Sequence, residues 1–297
     1  MDFALLKKAK AQLLLKPLDA VIFLAPWYTA APAQFTDATT GLQTLPTTYN
    51  SVGLISKKDG IAFARNIETG TIDSFGELEP TRMDITGDST TLSFTPQETN
   101  KTVLQLTTGA DLSAATANAD SGEVFFAQPS APQVTFYSCI VIGRDGDDTN
   151  PIYVFKVLPK VALSKADGET WSKDSSAAQK ITLTAFRDAT AGYSVGHGFG
   201  GRGWKRILQD AGFDFKVTAI TVTPTTLPIT AGADSNALVV KDQALNVIPN
   251  SKVAFTTSAD NKATVTTAGV VHGVAAGTAT ITATYQGKTS ICTVTVA

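Results

Sequence analysis

Histidine, cysteine and charge are all scarce in this chain, and each scarcity removes a class of function. Two histidines, His197 and His272, and two cysteines, Cys139 and Cys292, are all that the 297 residues supply. Neither histidine has a cysteine or carboxylate at ligand or triad spacing, so metal and nucleophilic catalysis lack sequence support, and no catalytic or metal residue is assigned. The cysteines lie far apart in apolar alternating runs, which reads as two small buried hydrophobes rather than a disulfide framework. Charged residues make up 17% of the chain and the net charge is −2, giving no general pull toward nucleic acid or anionic membranes. Long apolar runs are missing as well. Residues 21–25 are apolar but bounded by Asp19 and Pro26, far short of the ~20 residues a membrane helix needs, so no membrane insertion is expected. Lys7, Lys8, Lys10 and Lys16 ahead of that run give a faint likeness to a secretory leader. Leu5, Leu6, Ala9, Leu13 and Leu14 instead fit a short amphipathic helix before a first strand.

Threonine, serine and alternating apolar residues fill the space that charge leaves, and they favour strands and turns. Strands are expected over 124–127, 134–143, 152–159 and 181–187, with a hairpin over 53–64 that turns at Asp59-Gly60. Residues 26–50, rich in Thr, Ala and Pro, read as an extended arm or long loop. In 134–142 both alternating faces are apolar, so this strand is buried on both sides, by another layer or by a neighbouring subunit. Phe136, Tyr137, Ile140 and Val141 are its candidates for contact with a second copy. The most sharply specified segment is 90–109. Strand alternation at Thr90, Leu92 and Phe94 gives way to Thr95-Pro96-Gln97-Glu98, which has the residues of a capping box with Thr95 as N-cap. Thr99, Val103, Leu106 and Ala110 follow at helical spacing, and Gly109 offers a left-handed stop.

Residues 59–88 are lopsided in charge, with seven acids against only Arg65 and Arg82. A solvated hairpin loop explains this blandly. The sharper reading is a surface that faces a polyanion without holding it. Gly196-His197-Gly198-Phe199-Gly200-Gly201 matches G-x-G-x-x-G but lacks the βαβ setting of a dinucleotide site, so it is read as a flexible glycine loop and no cofactor is assigned. The acidic loop 145–150 lacks the glycine and terminal glutamate of an EF-hand and reads as a hairpin turn. From Val217 onward glutamate disappears and only three acids remain, against 23 in the first 216 residues. About seven short strands at regular spacing fit an immunoglobulin-like sandwich there, so domains of 1–216 and 217–297 are expected.

Two resemblances follow from particular residues. Ile220-Thr221-Val222-Thr223-Pro224, Ala263-Thr264-Val265 and the run from Ala268-Gly269-Val270-Val271-His272-Gly273 through Gly277-Thr278-Ala279-Thr280-Ile281-Thr282-Ala283 resemble a group 2 bacterial immunoglobulin-like domain. The first 216 residues resemble the major tail, or tail tube, proteins of long-tailed phages, particularly those of actinobacteria. Val52-Gly53-Leu54, Lys58-Asp59-Gly60-Ile61, Gly76-Glu77-Leu78-Glu79-Pro80-Thr81-Arg82, Thr95-Pro96-Gln97-Glu98-Thr99-Asn100, Val157-Leu158-Pro159-Lys160-Val161 and 182–188 carry that likeness in order. It implies a mainly β protein: a tail-tube β-sandwich or barrel with a flanking α-helix, then a C-terminal immunoglobulin-like β-sandwich. It further implies a structural virion protein, assembled in the host cytoplasm as stacked hexameric rings around passing double-stranded DNA that it does not bind specifically. The partners implied are other copies, a tape measure protein and other tail proteins, with host cell-surface polysaccharide for the outer domain. On this reading Glu68, Asp73, Glu77, Glu79 and Asp84 face the bore or the seam between rings. The alternative is a secreted or surface bacterial adhesin, which predicts a cleaved N-terminus.

Overall fold

A computed structural model describes residues 3–37, 41–169, 171, 173 and 176–297, and divides the chain into two units, Met1–Gly212 and Phe213–Ala297. The division falls a few residues ahead of the expected 216/217.

The first unit opens with a single helical turn, α1 (Phe3–Lys7), and a 3-10 turn (Ala11–Leu13), in place of one amphipathic helix. Leu6 and Leu14 are exposed, and the Leu5 side chain lies outside the described residues. The strands then follow as β1 (Asp19–Pro26), β2 (Asn50–Ser51), β3 (Ala62–Ile72), β4 (Arg82–Phe94), β5 (Phe136–Asp145), β6 (Ile152–Ala166), β7 (Ile181–Ala185) and β8 (Gly196–Gly200). Helix α2 (Lys101–Thr108) lies between β4 and β5, and α3 (Gly201–Ile207) follows β8. All strands of the unit pair antiparallel in the order β2-β1-β5-β6-β7-β4-β3, with β8 also on β6. Ile22 and Leu24 of β1 share one core with Leu92 and Phe94 of β4, although three strands separate β1 from β4 in that order. The sheet therefore curls round this core, and Val103 and Leu106 of α2 plug it.

A second core lies on the other face. Ile140 and Ile142 of β5, with Val157 of β6, pack there against Phe35 and Tyr49 of the 26–50 segment. The Phe35 and Phe155 rings are 4.6 Å apart, and the Tyr49 hydroxyl meets Ser138 Oγ at 2.8 Å. The arm is thus a cover for the second apolar face of β5. Besides the N-terminal helix, three expectations about strands and loops fail in this unit. Residues 124–127 form no strand, having no ladder partner. The arms of the expected 53–64 hairpin do not pair: Ile55 bridges Pro96, while β3 pairs with β4. The glycine motif is strand β8, and Gly198 is small because the Phe155 ring occupies the space a Cβ would need.

The second unit is a β-sandwich built from β9 (Ile220–Thr223), β10 (Thr226–Ile229), β11 (Val239–Asp242), β12 (Val247–Ile248), β13 (Ala254–Thr257), β14 (Ala263–Val265), β15 (Val271–Gly273), β16 (Gly277–Tyr285) and β17 (Lys288–Val296). Its sheets run β10-β17-β16-β13 and β12-β11-β9, with β14 and β15 paired separately. In β16 Ala279, Ile281 and Ala283 are buried while threonines alternate outward, the period-2 pattern its sequence carries. Cys292 and Cys139 are both free and fully buried, and burial raises each thiol above its ordinary pKa.

Candidate functional site

Thr95 to Asn100 was expected to start a helix, and the structure gives these residues a different task. The N-cap is Asn100, whose side chain accepts from Val103 N, and α2 ends at Gly109 in the left-handed conformation. Five residues earlier, Thr95 is too far from α2 to cap it. The segment instead grips the loop 52–56. Ser56 N donates to Thr95 O at 2.9 Å and Gln97 N to Leu54 O at 2.8 Å. The Glu98 carboxylate accepts from Leu54 N at 2.8 Å, and Asn100 Nδ2 donates to Val52 O at 3.0 Å. Gly53 sits at φ +81 with Glu98 pressed against it, so a side chain there meets both strain and collision.

The loop so fixed forms one wall of a groove of about 470 Å³. Leu54, Ile55, Ile61 and Phe63 line one side, and Ala20, Val141, Val154 and the stem of Lys156 the other. Lys57 and Lys156 bring two positive charges to it, against Asp19 alone. Lys156 Nζ stands 4.3 Å from the centre of the Phe63 ring, and burial lowers its pKa. Its other neighbour is His197 Nδ1 at 3.3 Å; burial first, then the lysine charge, pushes that imidazole below its usual pKa. Among the described residues no carboxylate pairs with Lys156 or Lys57.

The β3–β4 hairpin starts at this groove and leaves it. β4 pairs with β7 only over Thr90 to Phe94, so from Asn66 outward the two strands have only each other. All five acids singled out from the sequence lie on this arm: Glu68 on β3, Asp84 on β4, and Asp73, Glu77 and Glu79 in the turn between them. All five are exposed. Asp84 is held by Arg82 at 2.8 Å, and Asp88 by Arg65 at 2.6 Å, which lowers the Asp88 pKa. Glu68, Asp73, Glu77 and Glu79 have no basic partner among the described residues. Attention to the acids missed the residues between them. Ile72, Phe75, Leu78, Met83 and Ile85 are bare, Phe75 and Leu78 as exposed as in an open chain. The clue was there in Phe75 and Leu78, two large apolar residues inside an acidic turn with no alternation to place them in a core.

The strand candidates for subunit contact need correction. Ile140 is fully buried and Val141 nearly so within one chain, the first by the 26–50 segment and the second by the main core. Ile140 has no surface to offer a neighbour, and Val141 offers only the small part that lines the groove. Tyr137 is half-buried against the main core. Phe136 is half-buried among Trp27, Phe186 and the Lys160 ammonium, 4.3 Å from its ring centre. The two histidines stay in separate units. His272 Nδ1 meets Asp234 at 2.7 Å, a contact that spacing along the sequence did not reveal. Among the described residues no group of three His, Cys, Asp or Glu is placed to hold a metal ion. Among the described residues no helix is long and apolar enough to cross a membrane.

A curled sheet that covers its own faces, an arm that leaves its apolar residues bare and an appended sandwich together describe a building-block protein, shaped to touch other chains. The family model described as phage tail tube protein matches residues 9–194, and the chain belongs to that family. The model described as bacterial Ig-like domain (group 2) matches residues 216–296. Comparison with curated proteins finds no match. One solved structure, described as "Crystal structure of Hcp protein", is similar at 10% identity and a TM-score of 0.25, covering 61% of this chain and 98% of that one. The protein is accordingly a structural component of a phage tail, mainly β, with an immunoglobulin-like domain at its C-terminal end. The adhesin alternative rested on that last domain, which is the smaller part of the chain.

Proposed function

We propose that copies of this chain form hexameric rings that stack into the tube through which the phage genome passes. Family membership supports the tube, and the bare β3–β4 arm is the observation that carries self-assembly. An exposed apolar patch on a two-stranded arm is what a monomer avoids and an interface needs. The unpaired acids Glu68, Asp73, Glu77 and Glu79, with Asp84, face the bore or the seam between rings. There, like charge keeps passing double-stranded DNA from sticking, most effectively within a Debye length of about 8–10 Å. Head-to-tail contacts let rings stack without closure, and obligate assembly calls for roughly 2,000 Å² or more per contact class. A tape measure protein and other tail proteins are the further partners, and assembly takes place in the host cytoplasm. The immunoglobulin-like unit decorates the outside, where its threonine-rich surface suits loose adhesion to host polysaccharide.

Electron microscopy of the purified chain tests this reading. Tubes or stacked rings are expected. A protein that remains monomeric at high concentration, or a reconstruction that places the five acids on the outer wall, overturns it.

A further inference from the structure

The bare end of the arm and the groove at its root complement each other, yet one chain cannot join them. Phe63 lines the groove and Ile72 ends β3, nine residues further out, which at about 3.3 Å per residue is roughly 30 Å of strand. Phe75 and Leu78 lie beyond that and touch nothing of their own chain. What they lack, the groove supplies. It is apolar on both walls, open, and large enough at about 470 Å³ for two such side chains. Its charge is of the opposite sign. The turn carries Asp73, Glu77 and Glu79 without a base, while the groove carries Lys57 and Lys156 without a paired carboxylate.

From this we infer that the groove between loop 53–61 and the Ala20, Val141, Val154 wall is the receptor for the turn of a second copy. Phe75 and Leu78 enter it as apolar anchors, and the turn acids lie against Lys57 and Lys156. Donor and receptor sit at opposite ends of the same hairpin, so the contact is heterologous, and each copy that receives one turn still presents its own. The clamp from Thr95 to Asn100 gains a purpose on this account: it holds the receptor wall in shape before the partner arrives. The inference rests on the self-assembly reading and names the contact within it.

Paired cysteines test it. Leu78→Cys and Leu54→Cys, combined in one chain, should give a ladder of disulfide-linked multimers on mild oxidation, and either substitution alone should stop at dimers or monomers. The native Cys139 and Cys292 are buried and stay silent. Phe75→Ser with Leu78→Ser should abolish multimers while leaving the melting curve of the monomer unchanged, because neither side chain contacts its own fold. Lys57→Glu should weaken assembly, and adding Glu77→Lys should restore it at least in part. If the unaltered chain forms tubes but the double cysteine chain gives no ladder, and the serine variant still assembles, the groove is not the receptor and the tube reading stands. If the unaltered chain forms no multimer, the tube reading itself falls.

Discussion

At the scale of single residues, a few polar side chains hold loops in place. Glu98 spends its charge on the backbone of Leu54, and hydrogen bonds to charged groups contribute about 1.5–3 kcal/mol. Glu98→Ala should lower stability by about that amount in urea denaturation. Asn100→Ala should cost about 1–2 kcal/mol, because it loses the helix cap and the bond to Val52 O together. Asp242 gives a pH signature. The Asn246 amide first, then the backbone of Asn246 and Ala244, holds its carboxyl below the ordinary range. The unfolded chain then takes up that proton more readily than the folded one. The stability contributed is present above about pH 4 and is lost as pH falls through the lowered folded value. Asp242→Asn should flatten the acid limb of stability against pH for the immunoglobulin-like transition, and an unchanged limb would discount this carboxylate.

At the scale of elements, β5 separates two readings that its sequence left open. Alternation identified a strand apolar on both faces, which is what the structure contains, but alternation is blind to what does the covering. Residues 26–50 have no period because their apolar members, Phe35 and Tyr49, pack as single plugs between turns. That the cover was an arm of the same chain could not be read from them. Ile140→Ala should therefore destabilise the monomer by about 2–5 kcal/mol, the range for emptying a buried isoleucine site. A loss of assembly with an unchanged monomer would restore the neighbouring-subunit reading. Elsewhere the local signals were legible to the extent that they were local. Gly109 as a left-handed stop came from chemistry within a few residues. The capping box failed because Thr95 and Glu98 answer to Ser56 and Leu54 in a loop far back along the chain, a partnership no window of sequence displays. The glycine motif failed for a similar reason, since its smallness is set by the Phe155 ring on the neighbouring strand.

At the scale of the whole chain, each of the two units has its own core, the second built from fifteen buried apolar residues without help from the first. The composition changes near residue 217 because a small sandwich with a threonine-covered outer face needs little charge. Residues 1–212 alone are expected to form the same multimers as the full chain, as seen by sedimentation. Loss of assembly on that truncation would assign the C-terminal unit a part in the contact. With a net charge of −2 per copy, the multimer should also leave double-stranded DNA free in a gel at ~0.15 M salt.

The self-made lining of β5 by the 26–50 segment has a consequence for timing. A subunit whose greasy sheet is already wrapped keeps that face out of indiscriminate contacts, and the side chains at the fingertip are left to drive growth. If the contact is the one inferred above, growth of the pipe should set in only above a threshold concentration of the purified chain, below which sedimentation finds single copies.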